Sequence, residues 1–124
     1  MANNRITRQT GTFPEDTTGR NITQDFMGVT ATSGLVSINT TAQYMYVTTP
    51  ALTGSMTFSV ATSSTQITDH LVIMVAGGAA TYSVALGTAI TGNVSSISVP
   101  AGKNGLYDGW FNGSVYVGTL STTV

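Results

Sequence analysis

Leu106-Tyr107-Asp108-Gly109-Trp110-Phe111-Asn112-Gly113-Ser114-Val115-Tyr116-Val117-Gly118-Thr119-Leu120 reads as two strands about one tight turn. Asn-Gly between two aromatic and β-branched runs is among the strongest short-range hairpin signals, because it supplies the positive φ values that a tight hairpin demands. Period two puts Tyr107 and Phe111 on one face of the first strand, with Asp108 and Trp110 on the other.

Working outward, the same grammar extends back to Leu35. Leu35–Ile38, Gln43–Thr48, Met56–Val60, Leu71–Val75, Tyr82–Leu86 and Val94–Val99 read as further short strands. Met56, Phe58 and Val60 alternate cleanly and are expected to face a core. Leu71-Val72-Ile73-Met74-Val75 is an unbroken apolar run, the pattern of a strand buried on both faces. Gly77-Gly78, Gly92-Asn93 and Asn104-Gly105 supply the punctuation between strands. No internal repeat stands out. About eight short strands predict an all-β fold, an antiparallel β-sandwich or jelly-roll-like barrel.

The chain divides by charge. Arg5, Arg8, Glu15, Asp16, Arg20 and Asp25 stand near the start, and from Phe26 to Thr68 there is no Asp, Glu, Lys or Arg. Only Asp69, Lys103 and Asp108 follow. Residues 1–34 therefore read as an extended N-terminal arm with scattered apolar anchors, and residues 35–124 as the β-sandwich domain. A dispersed small domain carries charge on roughly 25–35% of its surface. Only 7% of this chain is charged, which points to a surface covered by copies of itself or by a partner.

These features exclude several classes of function. A net charge of −1 without clustered Lys and Arg gives no footprint for nucleic acid. The absence of cysteine removes disulfides, thiolate metal sites and cysteine nucleophiles. Leu71–Ile90 is apolar enough for a membrane span, but Gly77-Gly78 interrupts it and Thr81–Leu86 alternates, so a soluble hairpin is expected instead. The opening residues lack the apolar stretch of a secretory signal, and synthesis in a host cytoplasm is the expectation. Without a secretory route, the Asn-x-Ser/Thr sequons at Asn21, Asn39, Asn93 and Asn112 carry no glycosylation reading.

Chemistry is sparse. Asp69-His70 is the one neighbouring carboxylate–histidine pair, yet adjacent strand residues point to opposite faces, so Asp69 is poorly placed to orient His70. Gly102-Lys103-Asn104-Gly105 lacks the spacing and the Ser/Thr of a phosphate-binding loop and reads as a turn. Copies of His70 or Asp108 gathered on a symmetry axis are a weaker ion-site alternative. The expectation is no catalytic residue, no cofactor and no resident metal. Aromatic residues carry more weight. Tyr44 and Tyr46 share one face of their strand and Met45 and Val47 the other, so one face can fill a core while the second meets something else.

Met56–Val60, the buried Leu71–Val75 strand, a glycine turn, Tyr82–Leu86, a Ser/Val strand closing on Pro100-Ala101-Gly102-Lys103 and the aromatic hairpin Trp110–Tyr116 together resemble the small all-β domains of tailed-bacteriophage virion proteins. These include head decoration or cement proteins, head fibres and tail-fibre domains. The resemblance implies a non-enzymatic structural protein on the capsid surface of a virion, assembled as a homotrimer. Its N-terminal arm would anchor it to the major capsid protein through Arg5, Arg8, Phe13 and Arg20. Tyr44, Tyr46 and Trp110 would contact neighbouring subunits. No membrane or nucleic-acid partner is implied. The alternative is a fibre or spike module in which Trp110 or a tyrosine stacks on a host-surface glycan.

Overall fold

A computed structural model of the chain describes residues 23–61 and 68–123. Among these the structure is all-β, with ten strands and no helix. The strands are β1 (Gln24–Gly28), β2 (Gly34–Ile38), β3 (Tyr44–Thr48), β4 (Met56–Val60), β5 (His70–Ala76), β6 (Tyr82–Leu86), β7 (Ile90–Gly92), β8 (Ser96–Val99), β9 (Asn104–Phe111) and β10 (Tyr116–Thr123). One sheet has the order β1-β3-β5-β9-β10-β7 and the other β2-β4-β6-β8. From β1 to β8 the chain therefore changes sheet at every step.

This alternation corrects the expected antiparallel sandwich or jelly roll. β1, β3 and β5 pair in parallel, and so do β2, β4 and β6. The result is a solenoid-like stack in which each coil lays one strand on each sheet. Strands β1, β2 and β3 begin ten residues apart. The segments between them cross from one sheet to the other and do not fold back beside the strand just made. Period-two alternation is the same in a parallel and an antiparallel strand with one buried face, so the pattern alone could not separate the two. Leu71–Ile90 likewise forms no hairpin, since β5 and β6 lie in different sheets. Among the described residues no helix is long and apolar enough to cross a membrane.

Antiparallel pairing enters late. β9 pairs with both β5 and β10, and β8 with β6, while β7 runs parallel to β10 and forms the far edge of the six-stranded sheet. The quoted hairpin is present, with Phe111 opposite Tyr116. Its loop is turned by the Asn112 side chain, whose Oδ1 accepts from the Ser114 and Val115 N–H groups, both at 2.9 Å. Gly113 supplies the positive φ of +102°. Asn104-Gly105, expected in a turn, instead opens β9, and the preceding turn is made by Pro100 to Lys103 with Gly102 at φ +75°. Gly105 lies beneath Val99 and Val75, where a strand fits and a protruding turn does not.

The core lies between the sheets. Met45, Val47, Leu71, Ile73, Val75 and Tyr107 from one sheet meet Ile38, Met56, Phe58, Val84 and Val99 from the other. β5 is buried on one face only, because Met74 is exposed and Val72 half-buried while Leu71, Ile73 and Val75 are fully enclosed. Burying such side chains contributes about 1.5–3 kcal/mol each.

Two buried tyrosines tie loops to this core. Tyr107 donates to the Thr91 carbonyl at 2.9 Å. The Tyr116 hydroxyl accepts the Thr68 N–H at 3.1 Å, and Thr68 donates its own hydroxyl to Ala42 O at 2.6 Å. Burial, reinforced by the nearby Asp108 charge and Tyr116, pushes the Tyr107 hydroxyl up to about 12. Burial likewise raises Tyr116, against the lowering effect of its hydrogen bonds with Thr68 and Thr40.

Candidate functional site

The two outer faces of the stack differ in chemistry. The four-stranded sheet turns outward Leu35 together with Ser37, Ser59, Ser83, Ser96 and Ser98. The six-stranded sheet turns outward an aromatic and apolar set. Phe26, Tyr46, Met74, Trp110 and Val117 are exposed there.

Register builds this face in rows. Gln24, Tyr44, His70, Trp110 and Val117 stand side by side on five successive strands. Phe26, Tyr46, Val72, Asp108 and Thr119 form the next row. Parallel and antiparallel pairs alike place side chains of one row about 5 Å apart, so neighbouring rings meet. His70 and Trp110 stack with centroids 4.0 Å apart and planes inclined by 2°. Tyr44 meets His70 edge-on at 6.2 Å. Phe26 and Tyr46 stack at 5.2 Å with a 20° inclination.

His70 Nε2 lies 2.5 Å from Asp108 Oδ1, which joins the two rows. The partner of His70 is thus a carboxylate across the strand pair and not its neighbour Asp69. Tyr44 and Trp110 flank the imidazole in its row. Among the described residues no three or more His, Cys, Asp or Glu side chains gather to hold a metal ion.

All three residues expected at a subunit contact lie on this face. Trp110 is 55% exposed and Tyr46 36%, while Tyr44 is half-buried. Phe26, Met74 and Val117 extend it and were not legible as members, because membership depends on which strands are neighbours. Phe26 stood inside the segment read as an arm, yet β1 is a full member of the sheet. Arg5, Arg8, Phe13 and Arg20, expected to touch a shell, lie outside the described residues. Compared with protein-family models, with curated proteins and with solved structures, the chain matches none.

Proposed function

We propose that this chain is a non-enzymatic structural subunit of a bacteriophage particle, decorating or cementing the capsid and self-associating as a homotrimer through the outer face of its six-stranded sheet. One observation carries the reading. The exposed Phe26, Tyr46, Met74, Trp110 and Val117 share a single face on which, among the described strand residues, Asp108, held by His70, is the only carboxylate. Contiguous apolar surface of this kind marks an interaction site on a soluble chain. Aromatic residues with few charges are the composition of an interface core. The virion setting comes from the resemblance in the sequence.

Pairing of His70 with Trp110 and of Phe26 with Tyr46 leaves one face of each ring open, so a glycan stacked on Trp110, which stays 55% exposed, is the second reading of the same surface.

Sedimentation of the full chain tests the proposal. The expected species is a trimer, reduced to monomer by Tyr46→Asp or Trp110→Asp with the far-ultraviolet circular dichroism unchanged. A carboxylate buried at an interface without a partner costs several kcal/mol. A monomer at micromolar concentration overturns the self-association, and failure to co-sediment with empty capsids overturns the shell partner.

A further inference from the structure

Two Asn-Gly pairs lie near the end of the chain, and the fold gives them opposite surroundings. Asn112-Gly113 stands in the loop between β9 and β10, where both residues are exposed. Asn104-Gly105 opens β9, with Asn104 exposed and Gly105 buried beneath Val99 and Val75. The two pairs share one chemistry. The glycine backbone nitrogen can attack the preceding side-chain amide and close a succinimide ring, because no Cβ shields it. Which pair reacts is decided by what surrounds the nitrogen and the amide.

At Asn112 the loop supplies what the attack requires. Oδ1 accepts from the Ser114 and Val115 N–H groups, both at 2.9 Å. Addition of a nucleophile to Cγ develops negative charge on that oxygen, so the two donors stand where an oxyanion hole would. Among the described residues neither Asn112 Nδ2 nor the Gly113 N–H is hydrogen-bonded, which leaves the departing group and the nucleophile both free. A Cβ built on Gly113 would meet nothing within 4 Å, so water and hydroxide reach the site. Gly105 is the reverse case. Phe111 donates its N–H to Asp69 O, and bonded pairs recur at every second residue of an antiparallel ladder. Counted back along β9, the register with β5 makes Gly105 and Val75 such a pair. Ring closure at Asn104 would have to break that bond beneath buried side chains. The Asn104 Oδ1 meets the Gly77 N–H at 3.4 Å, a longer contact than either donor of Asn112 makes.

We propose that Asn112 is a self-modifying site, deamidated in the folded chain by the Gly113 nitrogen with the Ser114 and Val115 N–H groups promoting the step. The Gly113 nitrogen gives its proton to hydroxide and bonds to Asn112 Cγ. The Cγ–Nδ2 bond breaks, and Nδ2 takes up a proton and departs as ammonia. Water then opens the succinimide. Addition at Cγ gives aspartate on an ordinary backbone, and its carboxylate can keep both hydrogen bonds with the added strength of charge. Addition at the backbone carbonyl carbon gives isoaspartate, whose main chain runs through Cβ and lengthens the loop by a methylene. Water is consumed, ammonia is released, and nothing is oxidised or reduced. Either product puts a new carboxylate two residues beyond Trp110. The site stands or falls independently of the virion reading.

The full chain contains both pairs, so every molecule carries its own control. The protein is held at neutral pH and body temperature, and a second sample is held unfolded in guanidinium. Peptides spanning each pair are followed by mass spectrometry for conversion of amide to acid, with isoaspartate told from aspartate by electron-transfer fragmentation. In the folded chain, conversion at Asn112 is expected to be many-fold faster than at Asn104. In guanidinium the two should convert at similar rates. Equal rates in the folded chain, or a faster Asn104, overturn the proposal. A preference for Asn112 that is as large in guanidinium assigns the selectivity to flanking sequence and overturns the role of the fold. Asn112 is also expected to convert at least as fast folded as unfolded, and slower conversion in the folded chain overturns the promoting role of the two N–H donors.

Discussion

The His70 imidazole lies flat against the Trp110 indole, 4.0 Å between centroids and 2° from parallel, while its Nε2 reaches Asp108 two residues before that tryptophan. Strand register makes this possible. His70 is directly opposite Trp110 on β9, and Asp108 lies on the same face one row away. The imidazole is therefore held by stacking on one residue and by a hydrogen bond to the other.

Trp110 is the single tryptophan of the chain, so its fluorescence reports on this stack alone. A ring stacked on the indole shields one of its faces from water. His70→Ala should therefore shift the Trp110 emission maximum to longer wavelength and change its intensity relative to the parent protein at the same concentration. His70→Phe should recover the stacking without the hydrogen bond to Asp108. Unchanged intensity in His70→Ala would mean that the two rings do not stay stacked in solution.

Tyr107 provides a pH prediction. Its hydroxyl is raised to about 12 when folded, chiefly by burial, against about 10 in an unfolded chain. Above pH 10 the unfolded chain loses this proton while the folded one keeps it, so the unfolded state binds fewer protons and stability falls as pH rises. The loss should run from about pH 10 to about pH 12 and be absent below that window. Tyr107→Phe should cost about 1 kcal/mol at pH 7 through the lost bond to Thr91. It should also flatten the alkaline decline measured by urea unfolding between pH 9 and pH 11.

Gly109 should tolerate no side chain. It lies in the core-facing row with Leu71 and Gly118, and the Tyr107 ring passes over it. A Cβ at Gly109 would overlap the Tyr107 ring and hydroxyl. Gly109→Ala is expected to destabilise by about 1–3 kcal/mol, the usual range for overpacking a filled core. Part of that loss should return in Gly109→Ala with Tyr107→Leu, which removes the ring. If the double variant is no better than the sum of the singles, the contact with Tyr107 is not the cause.

Much of the fold was legible because burial imposes an alternation on every strand. Met56, Phe58 and Val60, and Met45 with Val47 against Tyr44 with Tyr46, follow it faithfully. Strand order was not legible, since the turn signals that mark a hairpin also serve a crossing between sheets. That single ambiguity explains the other departures. Without knowing that β1 lies beside β3, Phe26 reads as an isolated anchor in an arm. Without knowing that β5 lies beside β9, His70 is compared with Asp69, its neighbour in sequence, and not with Asp108, thirty-eight residues away. The aromatic face was visible as a list of residues, and the register turned that list into a surface.

The last test concerns how the closing hairpin is fastened to the coils. Thr68 is fully buried, and its N–H donates to the Tyr116 hydroxyl at the start of β10. Its own hydroxyl donates to Ala42 O, in the segment between β2 and β3. Thr68 thus joins the C-terminal hairpin to an early coil. Tyr116→Phe keeps the ring and its packing on Phe111, with centroids 5.1 Å apart, but strands a buried N–H. A buried donor without an acceptor costs about 1–3 kcal/mol, more than a hydrogen bond lost at the surface. Thr68→Val should remove the hydroxyl bond to Ala42 while keeping the N–H bond, and Thr40→Val removes the Thr40 bond of the Tyr116 hydroxyl, so the three variants together separate the links. If Tyr116→Phe unfolds at the same urea concentration as the parent, water or another acceptor must satisfy Thr68, and the hairpin is held by packing alone.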